Sequence, residues 1–160
     1  IAVPDSAIGD YWTRLYVEEA SKPKPQSYKR GDKTLNISAN ARWGVNIESR
    51  VPGERNKLGK INKIEIASKD STKNISFDFE NISSVILRCK KSKIEIRDQD
   101  GKTIKILLID EFHTYPNETR TITKKILNNN FEAGEYSAVV IIDYQGKQLA
   151  GGEALFEINK

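Results

Sequence analysis

From Lys57 onward, apolar and polar residues alternate in short segments broken by turn residues, and this period of two is the strongest constraint the chain carries. Alternation puts every second side chain on one face of an extended strand, and no stretch keeps a helical period long enough for a core helix. The fold class is therefore all-β. Ile61, Ile64 and Ile66 mark a first strand, and Ile75, Phe77 and Phe79 alternate with Ser76, Asp78 and Glu80 in a second, one face core and the other wet. Val85 to Arg97 reads as a third, closed by Asp98-Gln99-Asp100-Gly101, whose Asp-Gly pair supplies the positive φ of a tight turn into Lys102 to Ile109. Thr119 to Ile126 follows Tyr115-Pro116-Asn117, and Glu135 to Tyr144 joins Lys147 to Ile158 across Gln145-Gly146. Seven strands over residues 57–160 predict an immunoglobulin-like seven-stranded β-sandwich.

The segment before it repeats part of that layout. Gly9-Asp10-Tyr11 precedes Trp12 to Glu18 as Gly134-Glu135-Tyr136 precedes Ser137 to Asp143. In such sandwiches a Gly and then a Tyr at the start of the penultimate strand form the tyrosine corner. Leu35, Ile37, Ala39, Ala41, Trp43, Val45 and Ile47 then alternate with Asn36, Ser38, Asn40, Arg42, Gly44 and Asn46, which predicts one long final strand. Residues 1–51 thus read as a β-hairpin remnant, the last two strands of a truncated first immunoglobulin-like domain. Residues 52–56, within Val51-Pro52-Gly53-Glu54 and beyond, are the linker, and 57–160 the complete domain. The opening Ile1-Ala2-Val3-Pro4, with no methionine, reads as the interior of a domain. Leaving Leu35, Ile37, Trp43, Val45 and Ile47 in water would forfeit on the order of 10 kcal/mol. The face is therefore expected to be covered, by missing residues, by the complete domain or by a second copy in a two-fold homodimer through the exposed hairpin.

With 160 residues and 38% of them apolar, there is material for one ordinary core and an extra piece. The run Ile106-Leu107-Leu108-Ile109 is far shorter than the roughly 20 residues a spanning helix needs, so no transmembrane segment is expected. The single cysteine, Cys89, allows no internal disulfide. A net charge of +4 is spread among nearly balanced acids and bases, and the basic stretch Arg88, Lys90, Lys91 and Lys93 reads as a protected strand edge, so no nucleic-acid partner is expected. His113, Cys89, Asp110 and Glu111 lack the spacing of a zinc site, and no nucleophile is paired with a base. Gly151-Gly152 lies within the last strand, where it marks a bulge or close backbone approach and not a phosphate loop. The expectation is a non-enzymatic protein with no catalytic residues, no metal and no cofactor.

Asp98-x-Asp100-Gly101-Lys102, Tyr115-Pro116-x-x-Thr119-Arg120, Ala133-Gly134-Glu135-Tyr136 and Asp143-Tyr144-x-Gly146 resemble the second domain of chaperone-like bacterial envelope proteins. The Lys- and Pro-containing connection from Ala20 to Lys33, the alternating strand and the Pro-Gly linker resemble the domain junction of periplasmic pilus chaperones. The resemblance implies a periplasmic or extracellular protein of pilus-assembly type that lends a strand edge to other polypeptides, with main-chain hydrogen bonds for affinity and alternating side chains for specificity. It assigns peptide binding to Leu35, Ile37, Ala39, Ala41, Arg42, Trp43, Val45 and Ile47. The family's second basic cleft residue would align with Asn46, and the nearest basic side chain is Arg42. A cell-surface adhesion or structural spacer module is the alternative, and Trp12, Tyr16 and Trp43 are the aromatic candidates for a carbohydrate platform.

Overall fold

The computed structural model describes residues 4, 6–20, 25–52 and 55–159, and it is all-β. The chain divides into two compact units, residues 11–50 and residues 1–10 with 51–160. Strands β1 (Asp10–Glu18), β2 (Gln26–Arg30), β3 (Lys33–Ile37) and β4 (Arg42–Arg50) come first. The larger unit follows with β5 (Gly59–Lys69), β6 (Thr72–Asn81), β7 (Leu87–Cys89), β8 (Lys93–Asp98), β9 (Thr103–Leu108), β10 (Phe112–Thr114), β11 (Thr119–Leu127), β12 (Gly134–Ile142) and β13 (Ala150–Ile158), with one 3-10 turn at Asn128–Asn130.

In the larger unit a three-stranded sheet runs β11-β6-β5 and a four-stranded sheet runs β13-β12-β8-β9, with the short pair β10-β7 beside them. Their apolar rows meet in one core. Ile75, Phe77 and Phe79 of β6, Ile94 and Ile96 of β8, and Ala138, Val140 and Ile142 of β12 are all buried there. Phe79 meets Phe112 edge-on at 5.8 Å and Tyr144 at 6.1 Å, so one ring joins β6, β10 and the end of β12. On β13 a Cβ added at Gly152 would stand 2.7 Å from Ile64 Cδ1, the close approach expected of the glycine pair.

Nine strands stand here among the described residues where seven are expected. Val85 to Arg97 is not continuous: Lys91 takes φ +52, the chain turns, and β7 pairs with β10 while β8 enters the four-stranded sheet. The short β10 accounts for the other additional strand. The turn after β8 forms as its Asp-Gly pair predicts, with Gly101 at φ +78 and Asp98 Oδ1 accepting the amides of Asp100 and Lys102 at 3.1 and 2.9 Å.

Two buried polar side chains organise the loops. Asn81 donates to Val85 O at 2.8 Å and Thr114 O at 3.0 Å, and its Oδ1 accepts from the Ser83 amide and hydroxyl at 2.9 and 2.6 Å. Asp10 accepts the Ile86 amide at 2.8 Å and pairs with Arg55, while its own amide donates to Ser84 O at 2.8 Å. Next to it Gly9 holds φ +82 with Ser84 O so near that no Cβ could fit, which makes glycine obligatory there.

The smaller unit is a pair of nested hairpins. β2 and β3 pair antiparallel from Gln26↔Ile37 to Arg30↔Lys33 around Gly31 at φ +61. β1 pairs with β4. Arg14 donates to Asn46 Oδ1 at 2.7 Å, Glu18 meets Arg42 at 2.8 Å and the Glu19 amide donates to Ala41 O at 3.3 Å, so these strands also run antiparallel. Of the expected linker and connection, Gly53, Glu54 and residues 21–24 lie outside the described residues, as do Ile1, Ala2 and Val3.

Candidate functional site

With Arg14 beside Asn46 and Glu18 beside Arg42, the register sets Val17 opposite Trp43 and Leu15 opposite Val45. One face of the β1–β4 ribbon is therefore apolar: Tyr11, Leu15 and Val17 from β1 with Trp43, Val45 and Ile47 from β4. All six are about half exposed, from 49% at Ile47 to 59% at Trp43. Among the described residues neither strand has a second neighbour, so each also presents an unpaired backbone edge.

The opposite face mixes charged and polar side chains with Trp12 and Tyr16, which are 48% and 47% exposed. The Arg42 guanidinium lies 3.8 Å over the Tyr16 ring and bonds Glu18, while Arg14 reaches both Asn46 and the Tyr16 hydroxyl. Arg14 holds the Tyr16 hydroxyl below its ordinary pKa, mainly by that hydrogen bond. Gly44 gives the Tyr16 ring room, since a Cβ there would stand 3.2 Å from Tyr16 Cε1.

The sequence-derived binding residues are distributed over three segments. Leu35 and Ile37 lie on β3, Ala39 and Ala41 in the connection, and Arg42, Trp43, Val45 and Ile47 on β4. The long strand from Leu35 to Ile47 is thus two strands in separate ladders, broken over Ser38-Ala39-Asn40-Ala41, residue types with low strand preference. Leu35 and Ile37 share a face with their cross-strand partners Tyr28 and Gln26. Arg42 belongs to the face away from Trp43, and its charge is engaged by Glu18. The pattern had hidden Leu15, Val17 and Tyr28. Gly31-Asp32 between Gln26–Arg30 and Lys33–Ile37 is the two-residue turn signal that marks β2 and β3.

The remaining polar clusters are accounted for by packing. Burial pushes the Cys89 thiol up to about 12, so it is no nucleophile at neutral pH. Asp110 is held below its usual range by Lys124 at 3.0 Å, Glu111 faces Lys90 at 3.8 Å, and the His113 ring meets Tyr115 edge-on at 5.2 Å. Among the described residues no three His, Cys, Asp or Glu side chains come together to hold a metal ion. On the outer face of the four-stranded sheet, Glu95 lies between Lys93 at 2.7 Å and Arg97 at 2.6 Å, and their hydrogen bonds lower its pKa to about 2. No described helix is long and apolar enough to cross a membrane. The tyrosine corner is formed by Tyr136, whose hydroxyl donates to Glu132 O at 3.0 Å; Tyr11, in the first copy of the triplet, is 52% exposed instead.

No family model matches the chain, and no curated protein is significantly similar to it. Among solved structures, beta-glucosidase 3B from Thermotoga neapolitana in complex with glycerol aligns over 65% of this chain at 18% identity and a TM-score of 0.45. The same enzyme with glucose gives the same values, and with alpha-D-glucose it aligns over 63% at a TM-score of 0.42. The alignment spans 16% of the length of that enzyme chain. These neighbours overturn the expectation of a non-enzymatic protein, which is withdrawn. Its physical ground was the lack of a catalytic constellation, and a β-rich region without one can be carried by an enzyme. At this identity and TM-score the likeness carries no activity to the present chain.

Proposed function

We propose that this chain is a chaperone-like or assembly-accessory module of the cell envelope, built on immunoglobulin-like domains, that binds other polypeptides by strand addition to the β1–β4 ribbon. The observation that carries the reading is the exposed apolar row of Leu15, Val17, Trp43, Val45 and Ile47 bordered by two unpaired strand edges. An incoming extended segment gains main-chain hydrogen bonds from an edge and covers the apolar row with its alternate side chains. The Tyr136 corner and the two sheets sharing one core support the immunoglobulin-like part of the reading. The envelope location rests on the sequence resemblance.

The test is titration of the full chain with extended peptides of alternating apolar and polar residues, followed by tryptophan fluorescence. Binding is expected, and Val45→Lys, which places a charge in the middle of the row, is expected to weaken it by roughly tenfold or more. Peptides that do not bind, or that bind V45K equally well, would remove the proposal.

A further inference from the structure

Two loop aspartates of the larger unit spend their carboxylates on backbone amides. Asp98 accepts from Asp100 and Lys102, and Asp143 accepts from Gln145 at 2.9 Å. Asp32, in the two-residue turn between β2 and β3, is different. Gly31 takes φ +61 and Asp32 keeps an ordinary φ, so the glycine alone makes the bend and the aspartate need not brace it. Among the described residues no hydrogen bond or ion pair engages the side chain of Asp32 or of Arg30, although a single glycine separates the two charges. Arg30, Gly31 and Asp32 are all exposed, and a Cβ added at Gly31 would meet nothing within 4 Å. Below the tip, the Arg30↔Lys33 pair closes a ladder that the Ser27–Asn36 hydrogen bond also ties across its strands.

We infer that the hairpin tip Arg30-Gly31-Asp32 is a recognition site for an acidic receptor surface that holds a divalent cation, the cation taking the Asp32 carboxylate and a receptor carboxylate taking Arg30. Charge selects this partner. Lys29, Arg30 and Lys33 flank Asp32, so the tip carries three cations and one anion, and its complement is acidic. A carboxylate brought to an acidic surface is repelled unless that surface carries a hard cation, for which carboxylate oxygens are natural ligands. Arg30 can meet a receptor carboxylate through paired hydrogen bonds, which fixes an orientation that Lys29 and Lys33, as point charges, cannot. A two-residue turn on a paired ladder also presents both charges already ordered, so little conformational freedom is lost on docking. The inference goes beyond strand addition and does not rest on it, because it uses neither the apolar row nor an unpaired edge of the β1–β4 ribbon.

Integrin ectodomains that read Arg-Gly-Asp are receptors of this chemistry and serve as the probe. The full chain, immobilised for surface plasmon resonance, is expected to bind them in the presence of Mn²⁺ and to release them in EDTA. Asp32→Glu keeps the charge but moves the carboxylate out by one methylene, and Arg30→Lys loses the paired hydrogen bonds; each is expected to weaken binding by roughly tenfold or more. V45K is expected to leave receptor binding unchanged, and peptide binding to the ribbon is expected to survive D32E. Competition on the unsubstituted protein gives a readout that no folding defect of a variant can mimic: a free Arg-Gly-Asp peptide should displace it from the receptor, and an Arg-Gly-Glu peptide should not. Absence of binding, binding that persists in EDTA, binding indifferent to D32E, or equal displacement by the two peptides would each overturn the inference.

Discussion

β6 and β4 are written in the same alternating code and meet opposite fates. In β6 the apolar row Ile75, Phe77 and Phe79 is 0 to 1% exposed, while in β4 Trp43, Val45 and Ile47 are 59%, 53% and 49% exposed. Period-two alternation decides which side chains share a face, and a second layer decides whether that face is dry. β6 lies in a sheet whose apolar row packs into the core shared with the four-stranded sheet; β4 has one ladder neighbour among the described residues, and its row stays about half exposed.

The sharpest way to break the comparison is to truncate one residue from each row. Phe77→Ala should cost the larger unit about 3–5 kcal/mol in denaturant unfolding, and Trp43→Ala should stay within about 0.5 kcal/mol. A comparable loss at Trp43 would mean that the ribbon face is covered in solution. A smaller effect tests the polar side of the same contrast. Asn81→Ala removes donors from the carbonyls of Val85 and Thr114 and the acceptor of the Ser83 amide, leaving Val85 O only the Ser83 hydroxyl, and it should cost about 2–3 kcal/mol. Its ribbon counterpart Asn46→Ala, at an exposed cross-strand hydrogen bond, should barely register on the same measurement.

The smallest effect is a pH dependence. Because Lys93 and Arg97 lower the pKa of Glu95 to about 2, its stabilising contribution is complete above the ordinary carboxylate range and fades as pH falls through that range toward about 2. Thermal melts of Glu95→Gln should lose part of the acid-side slope seen in the unsubstituted protein. If the two slopes coincide, the outer face of the four-stranded sheet is as loosely held as the ribbon.

Much of the larger unit was legible from the residues alone. Ile75, Phe77 and Phe79 announce their strand by alternation, and Asp98 to Gly101 announces its turn by the need for positive φ. The break at Lys91 was hidden, because a lysine with φ +52 carries no sequence mark comparable to glycine. Alternation continues unchanged through Ser38 to Ala41, and so it predicts one strand from Leu35 to Ile47 where the structure has β3 and β4. Partner choice, which sends β3 to β2 and β4 to β1, is a long-range property that a local period does not encode. The repeated Gly-acid-Tyr triplet was legible as a pattern, but its chemistry differs between copies. Tyr136 caps a loop in one, and the buried Asp10 receives the Ile86 amide in the other.

The Asn81 amide has a dynamic consequence. It bonds at once to the loop after β6, through Ser83 and Val85, and to the end of β10, through Thr114. Both segments are thus fastened to one side chain at the end of β6. The two stretches should therefore exchange their amide hydrogens as one cooperative opening event, at a common free energy well above that of a lone surface loop.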